Sequence, residues 1–229
     1  FLDYIANDKL KPEIIEAFVS GIAKSCKEND IALVGGETAE MPDTYLSGEH
    51  DVVGIVTGIV DKDKIIDGSN IQPGDVVLGL PSTGLQTNGY SLARKIFFDV
   101  GKFAVDDNAD GLEKSVGETL LEPSYIYHTF LQKLLDNELQ INGMAHISGG
   151  GLIENIPRVI PENCSVKLKK GSWPLLPVFE VMQKIGNVSE SEMYRTFNMG
   201  IGLTIIVSPT EVESIQKLLD KNIPVYEIG

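Results

Sequence analysis

At 229 residues, 42% hydrophobic and 23% charged, the chain has the composition of a globular protein with room for one large domain or two small ones. Its formal net charge of −14 argues against binding nucleic acid through the phosphate backbone, yet leaves open a phosphorylated small molecule held by a metal or by helix N-termini. No run of eighteen apolar residues occurs, so no membrane-spanning helix is predicted.

The chain opens on Phe1 rather than methionine, and no turn or cap precedes the apolar Phe1-Leu2 pair. Pro224 to Gly229 likewise reads as a strand cut short, so the expectation is a fragment lacking an N-terminal segment and a few C-terminal residues. No signal-peptide pattern is visible. Cys26 and Cys164 are the only cysteines. With no ligand-like neighbours, they read as buried thiols in a reducing compartment, the cytoplasm.

Phe1 to Ala6 reads as a strand. Pro12 suits a first helical position, and Ile14, Ile15, Phe18, Val19, Ile22 and Cys26 form one face of a helix ending near Asn29. Ile31 to Val34 is a short apolar run read as a buried strand, followed by a glycine turn at Gly35-Gly36. Asp51 to Val60, rich in β-branched residues, predicts a central strand. Asp61 to Asp75 carries Asp-Gly-Ser-Asn and Pro-Gly-Asp, the best candidate for a junction, placing two lobes at residues 1–66 and 67–229.

The second lobe begins with a strand at Val76 to Leu80 and a helix from near Ser91 toward Val100. Lys102 to Gly117 reads as a mobile loop. Pro123 opens a helix whose buried side is Ile126, Phe130, Leu131, Leu134 and Leu135. Ile141 to Ile147 is a strand. Helices are expected over Pro174 to Ile185, Glu190 to Phe197 and Pro209 to Asp220, with strands at Gly202 to Val207 and Ile223 to Ile228. No repeat or low-complexity segment occurs. Strands and helices in two blocks predict an α/β or α+β protein of two lobes.

Four stretches carry polar groups beside glycines. In Leu33 to Pro42, Glu37 and Glu40 stand with Thr38 at the predicted glycine turn, a way to hold hydrated magnesium against phosphates; the same stretch also reads as a surface turn with solvated acids. Ser82 to Ser91 offers backbone N–H groups with Thr87, Asn88 and Ser91 at a helix start, either an anion site or a simple cap. His146 to Asn155 carries Gly149-Gly150-Gly151 after a strand. It lacks the G-x-G-x-x-G spacing of dinucleotide sites, and His146, one of three histidines, reads as a catalyst or as a structural residue. Arg195, within Glu192 to Gly200, can pair with a phosphate or with a local carboxylate.

Together these stretches resemble the phosphoribosylformylglycinamidine cyclo-ligases, also called aminoimidazole ribonucleotide synthetases. The matching residues are Phe1-Leu2-Asp3-Tyr4, Gly35 to Pro42, Thr87 to Leu92, Ala145 to Gly151, Glu154 to Val159 and Met193 to Asn198, and the similarity runs to about Val207. The resemblance implies an α+β, two-lobe fold, its N-terminal lobe incomplete here and contributing strands to a dimer β-barrel. It implies a homodimeric purine-synthesis enzyme that uses ATP and magnesium to close the imidazole ring of formylglycinamidine ribonucleotide, releasing ADP and phosphate. On it, Gly35, Gly36, Glu37 and Thr38 serve ATP, with Glu37 on the metal. Thr87, Asn88, Gly89, Ser91, Ser148, Gly149, Gly150, Gly151 and Arg195 line the substrate cleft, and His146 and Gln86 are the catalytic candidates.

Two departures stand out. The family begins roughly a hundred residues earlier, with a lysine-bearing glycine segment and further aspartates, so this fragment alone is expected to be inactive. Gln86 occupies a position where many members carry histidine, and glutamine cannot titrate, although it hydrogen-bonds. The alternatives are a lobe that dimerises and binds nucleotide without turnover, or a relative such as selenophosphate synthetase, thiamine-phosphate kinase or the hydrogenase-maturation dehydratase.

Overall fold

The computed structural model describes residues 1–86, 88–219 and 222–229. They divide into two compact units, Phe1–Ile65 and Ile66–Gly229.

In the first unit, strand β1 (Leu2–Asn7) is central, flanked by β2 (Gly35–Glu40) and β3 (His50–Ile55). β2 runs parallel to β1, with Leu2 opposite Gly35, and β3 runs antiparallel, with Leu2 opposite Ile55. A parallel neighbour requires a crossover, supplied by helix α1 (Pro12–Glu28). Proline fits its first turn because the N–H it lacks has no partner inside the helix. The helix ends where Asn29 N–H donates to the carbonyls of Ser25 and Cys26 and Asp30 turns left-handed at φ 54°. Its apolar face is only partly buried, apart from Cys26.

Two expectations for this unit are corrected. Ile31 to Val34 is not a strand and is not buried; Val34 is 71% exposed. Its N–H makes one bond, to Phe1 O at 3.1 Å, and the ladder against β1 then runs from Gly35 to Glu40. Gly35 and Gly36 therefore lie inside a strand rather than in a turn. Glycine is required at position 36 because a Cβ there would strike the Asp3 carboxylate on β1. The run from Asp51 to Val60 is not a central strand either: β3 is an edge that stops at Ile55, and Val56, Ile59 and Val60 are exposed.

The second unit is built on an antiparallel sheet of order β5-β6-β4-β7, formed by β4 (Val76–Pro81), β5 (Gly143–His146), β6 (Ile201–Val207) and β7 (Tyr226–Glu227). All seven residues of β6 are buried, as its place between two strands and two layers demands. Helix α2 (Tyr90–Arg94) continues as a π-helical turn over Lys95–Val100, and α3 is Val116–Leu120, opened by a reciprocal Ser115–Glu118 cap. The remaining helices are α4 (His128–Asp136), α5 (Gly151–Asn155), α6 (Pro177–Gly186), α7 (Glu190–Thr196) and α8 (Val212–Leu219).

Three apolar clusters hold this unit together. Leu78, Leu80, Leu203 and Ile205 pack with Leu134 of α4 and with Ile215 and Leu219 of α8. Val77, Ala145 and Ile206 pack with Leu152, Ile156 and Trp173. Phe97, Phe179, Met182 and Phe197 form the third.

Here too the structure corrects details. The helix expected from Pro123 begins at His128, since the Pro123 carbonyl is held by Thr83 Oγ1 at 2.7 Å; Leu134 is buried while Ile126 and Leu135 are exposed. The stretch read as a mobile loop is pinned, with Val116 N–H on Asp107 O, Gly117 N–H on Val105 O, and Ala109 and Val116 in the core. The last strand shrinks to two paired residues. Both cysteines are free, but Cys164 is only partly buried.

Candidate functional site

In the sheet of the second unit, the ends of β4 and β5 and the start of β6 share one edge, Pro81 pairing with Ile201 and His146 with Leu203. The loop leaving β4 is shaped by buried Asn198. Its Oδ1 accepts from Ser82 Oγ at 2.8 Å, and its amide donates to Gly84 O at 2.8 Å and Leu85 O at 3.2 Å. The loop turns at Gln86, which is buried with a left-handed backbone, φ 50°. The Tyr127 hydroxyl donates toward the Gln86 side-chain oxygen at 3.0 Å and the Pro81 carbonyl at 2.8 Å.

The loop leaving β5 is shaped by a second buried asparagine. Asn155 Oδ1 accepts from Ser148 Oγ at 3.1 Å, and its amide donates to the carbonyls of Ser148, Gly149 and Gly151 at 2.9–3.2 Å. Asn88 joins the two loops: its amide donates to Gln86 O at 2.9 Å, and its Oδ1 accepts from Gly149 N–H at 3.0 Å.

The three glycines do different work. Gly151, at φ 58°, lies so close to α7 that a Cβ would strike Tyr194 O, and a Cβ on Gly150 would come within 2.7 Å of the Glu154 side chain. At Gly149 the nearest atom would be Asn88 Oδ1 at 3.9 Å. Packing within the protein thus accounts for Gly150 and Gly151, and Gly149 presents open backbone. Gly89, at φ 77°, lies against the Phe197 ring.

His146 is exposed at the end of β5, its ring edge-on to Tyr127 with centroids 6.2 Å apart. Partial burial holds its imidazole below the ordinary value, so it is neutral at pH 7 and able to accept a proton. Burial pushes the Tyr127 hydroxyl far above its ordinary range, so it stays a donor. Arg195 Nε donates to Glu154 Oε1 at 3.1 Å; of the two partners open to it from sequence, the local carboxylate is the one it has. Ser91 is exposed on α2. Thr87, read as a substrate contact, lies outside the described residues.

In the first unit, Asp3, Val19 and residues 33–38 line an open depression of about 430 Å³. Alternation along β2 puts Glu37 and Thr38 on opposite faces, and the Glu37 carboxylate accepts from Thr38 N–H at 2.9 Å. Glu40 accepts from Leu10 N–H at 2.9 Å. Among the described residues no group of three His, Cys, Asp or Glu side chains could enclose a metal.

Sequence reasoning did not single out Asp3, Tyr127, Asn155 or Asn198 as site residues. Asn155 and Asn198 carry a readable signal, an asparagine near a glycine-rich loop whose carbonyls need donors. Tyr127 carries none, because its partners are 41 and 46 residues away.

A family model described as AIR synthase related protein, C-terminal domain, matches residues 72–229, and the corresponding N-terminal domain matches residues 1–60. The chain belongs to the AIR synthase related proteins. Within this family it is 49% identical to a phosphoribosylformylglycinamidine cyclo-ligase of Geobacillus thermodenitrificans, covering 100% of the chain and 66% of the relative. It is 46% identical to the protein of that name from Thermoanaerobacter pseudethanolicus, covering 100% and 68%. The chain thus spans about two thirds of the length of these curated relatives.

Solved structures share the AIR synthase fold at low identity. The hydrogenase maturation protein HypE of E. coli superposes with TM-score 0.67 at 14% identity, over 100% of this chain and 65% of that one. The thiamine-monophosphate kinase of Stenotrophomonas maltophilia gives 0.66 at 16%, over 100% and 68%. Their agreement with this α+β chain concerns the fold alone. No helix among the described residues is long and apolar enough to cross a membrane.

Proposed function

We propose that the chain is part of an ATP-dependent cyclo-ligase of purine biosynthesis, an enzyme that converts formylglycinamidine ribonucleotide to aminoimidazole ribonucleotide with release of ADP and phosphate. The observation that carries this reading is the identity of about one half, along the whole chain, to relatives of that name.

The chemistry asks for three things. The formyl oxygen is a poor leaving group, so it takes the γ-phosphoryl group of ATP. The amidine nitrogen then attacks the formyl carbon, and the C–O bond breaks as phosphate leaves. The attacking nitrogen must also lose a proton. Neutral His146, at the rim of the loops, is the group suited to accept it. Gln86 has no proton to exchange at any working pH, and its part is to hold the loop. Backbone at Gly149, with Ser148, Gly150 and Gly151 behind it and Asn88 and Gly89 across from it, forms the cleft for the ribonucleotide. Thr87, Ser91 and Arg195 belong to the same reading, Arg195 exchanging Glu154 for a substrate phosphate.

In the first unit, Gly35, Gly36, Glu37 and Thr38 serve ATP. Magnesium needs only one or two protein carboxylates when phosphates and water fill its other positions, and Glu37 offers one. When bound, the ion would neutralise charge on the phosphates. A homodimer in the cytoplasm completes the proposal.

The test is to measure aminoimidazole ribonucleotide and ADP formation by the complete protein with ATP and magnesium. Equimolar products are expected. ADP release that does not depend on formylglycinamidine ribonucleotide would overturn the reading.

A further inference from the structure

Tyr127 lies just ahead of α4, where three strand ends meet. Its ring is buried in the cluster that contains Leu80 of β4 and Leu203 of β6. Its hydroxyl reaches Pro81 O, the last residue of β4, and the side chain of Gln86. Its ring edge faces the imidazole of His146, the last residue of β5, with planes at 64°. On β6 the chain must be bare: a Cβ on Gly202 would run into both Tyr127 Oη and Gln86 Oε1. One phenol thus touches the ends of β4, β5 and β6, together with both side chains read as catalytic candidates.

We propose that Tyr127 is a positioning residue for this site, its hydroxyl fixing Gln86 and its ring orienting and screening His146. Gln86 needs such a fixture. A left-handed backbone is strained for a residue other than glycine and persists only where the surroundings over-determine it. Three constraints do so here: Asn198 on Leu85 O, Asn88 on Gln86 O and the phenol on the Gln86 side chain. His146 needs the ring for another reason. The Tyr127 ring stands edge-on to the imidazole, centroids 6.2 Å apart, and removal of solvent holds the imidazole's proton affinity below its ordinary value. The two halves of the phenol therefore have separable duties, which two substitutions can divide.

The experiment compares Tyr127→Phe and Tyr127→Leu with the parent chain by NMR, following the Gln86 side-chain amide and the titration of His146. The histidine is assigned against His146→Gln, since the chain holds two further histidines, His50 and His128. Tyr127→Phe is expected to shift the Gln86 amide and leave the His146 midpoint in place. Tyr127→Leu is expected to shift both, raising the midpoint by about half a pH unit as solvent reaches the imidazole. An unmoved Gln86 signal in Tyr127→Phe, or an unmoved midpoint in Tyr127→Leu, would overturn the proposal. Should the leucine variant fail to fold, Tyr127→Phe still decides, because a midpoint that rises with the ring retained contradicts the screening role.

The kinetic consequence rests on the ring-closure reading. In the complete enzyme, Tyr127→Phe should lower kcat about tenfold, a fraction of what a 1 Å misplacement costs, and leave the KM for ATP unchanged. Shifted NMR signals with an unchanged kcat would reject Tyr127 as a positioning residue. Absence of ring closure in the parent enzyme would instead reject the functional reading and leave the NMR result standing.

Discussion

The two units hold their candidate residues by different means. In Phe1–Ile65 the buried apolar residues are Ile5, Ala6 and Cys26, and Glu37 stands exposed on a strand, its carboxylate accepting from its neighbour's N–H. In Ile66–Gly229 three apolar clusters surround loops whose carbonyls are collected by buried amides, Asn155 and Asn198. A site of the first kind can lose its chemistry without disturbing the fold. In the second kind, architecture and chemistry share atoms, so a substitution that alters one alters the other. Gly149 is the exception within the second unit.

Limited proteolysis gives the most direct way to break the comparison. The first cuts should fall within Phe1–Ile65, leaving Ile66–Gly229 as the surviving fragment, and early cleavage inside the second unit would reverse the contrast. Next in size is Phe179→Ala. This ring is fully buried and packs on Phe197 with centroids 5.8 Å apart. Its loss should cost about 3–5 kcal/mol, read as a shifted denaturant midpoint for the second unit.

Two glycines sharpen the contrast inside one loop. Gly151→Ala combines a left-handed φ with a collision against Tyr194 O, and should cost on the order of 3 kcal/mol. Gly149→Ala meets nothing closer than 3.9 Å and should leave stability within about 0.5 kcal/mol while weakening ribonucleotide binding. Equal stability losses at both would show that Gly149 is structural as well. Asn155→Ala removes the amide that the carbonyls of Ser148, Gly149 and Gly151 share, an expected loss of about 1–3 kcal/mol measured by thermal unfolding.

The smallest effect on stability is expected at Glu37→Gln, whose melting temperature should match the parent's. Its ATP-dependent turnover, assayed in the complete enzyme, should nevertheless fall at least tenfold. Near-normal turnover would remove Glu37 from the nucleotide site.

Much of this was legible in the chain. The α1 face, the Pro12 start and the β-branched run of β6 follow from periodicity and caps. What periodicity does not carry is partnership. Ile31 to Val34 looks more like a strand than Gly35 to Glu40 does, yet the latter pairs with β1, because the crossover from α1 delivers it there. The same gap explains the candidate site. Glycines and His146 announce themselves locally, whereas the phenol that joins Gln86 to His146 does so only once the strands are folded side by side.

Asn88 carries one more consequence, in the chemistry of ageing. It precedes Gly89, and an asparagine followed by glycine is readily attacked at its side-chain carbonyl by the next backbone nitrogen. Both ends of its amide are engaged, one on Gln86 O and the other on Gly149 N–H. Those bonds must open before the ring-forming attack can occur, so an intact pair of loops protects the residue. The attack expels ammonia and leaves a succinimide, which water opens to isoaspartate, with one more carbon in the backbone, or to aspartate, with an acceptor where a donor stood. A stored preparation would then lose the tie between its two loops, and mass spectrometry would report it as a gain of about one dalton at Asn88.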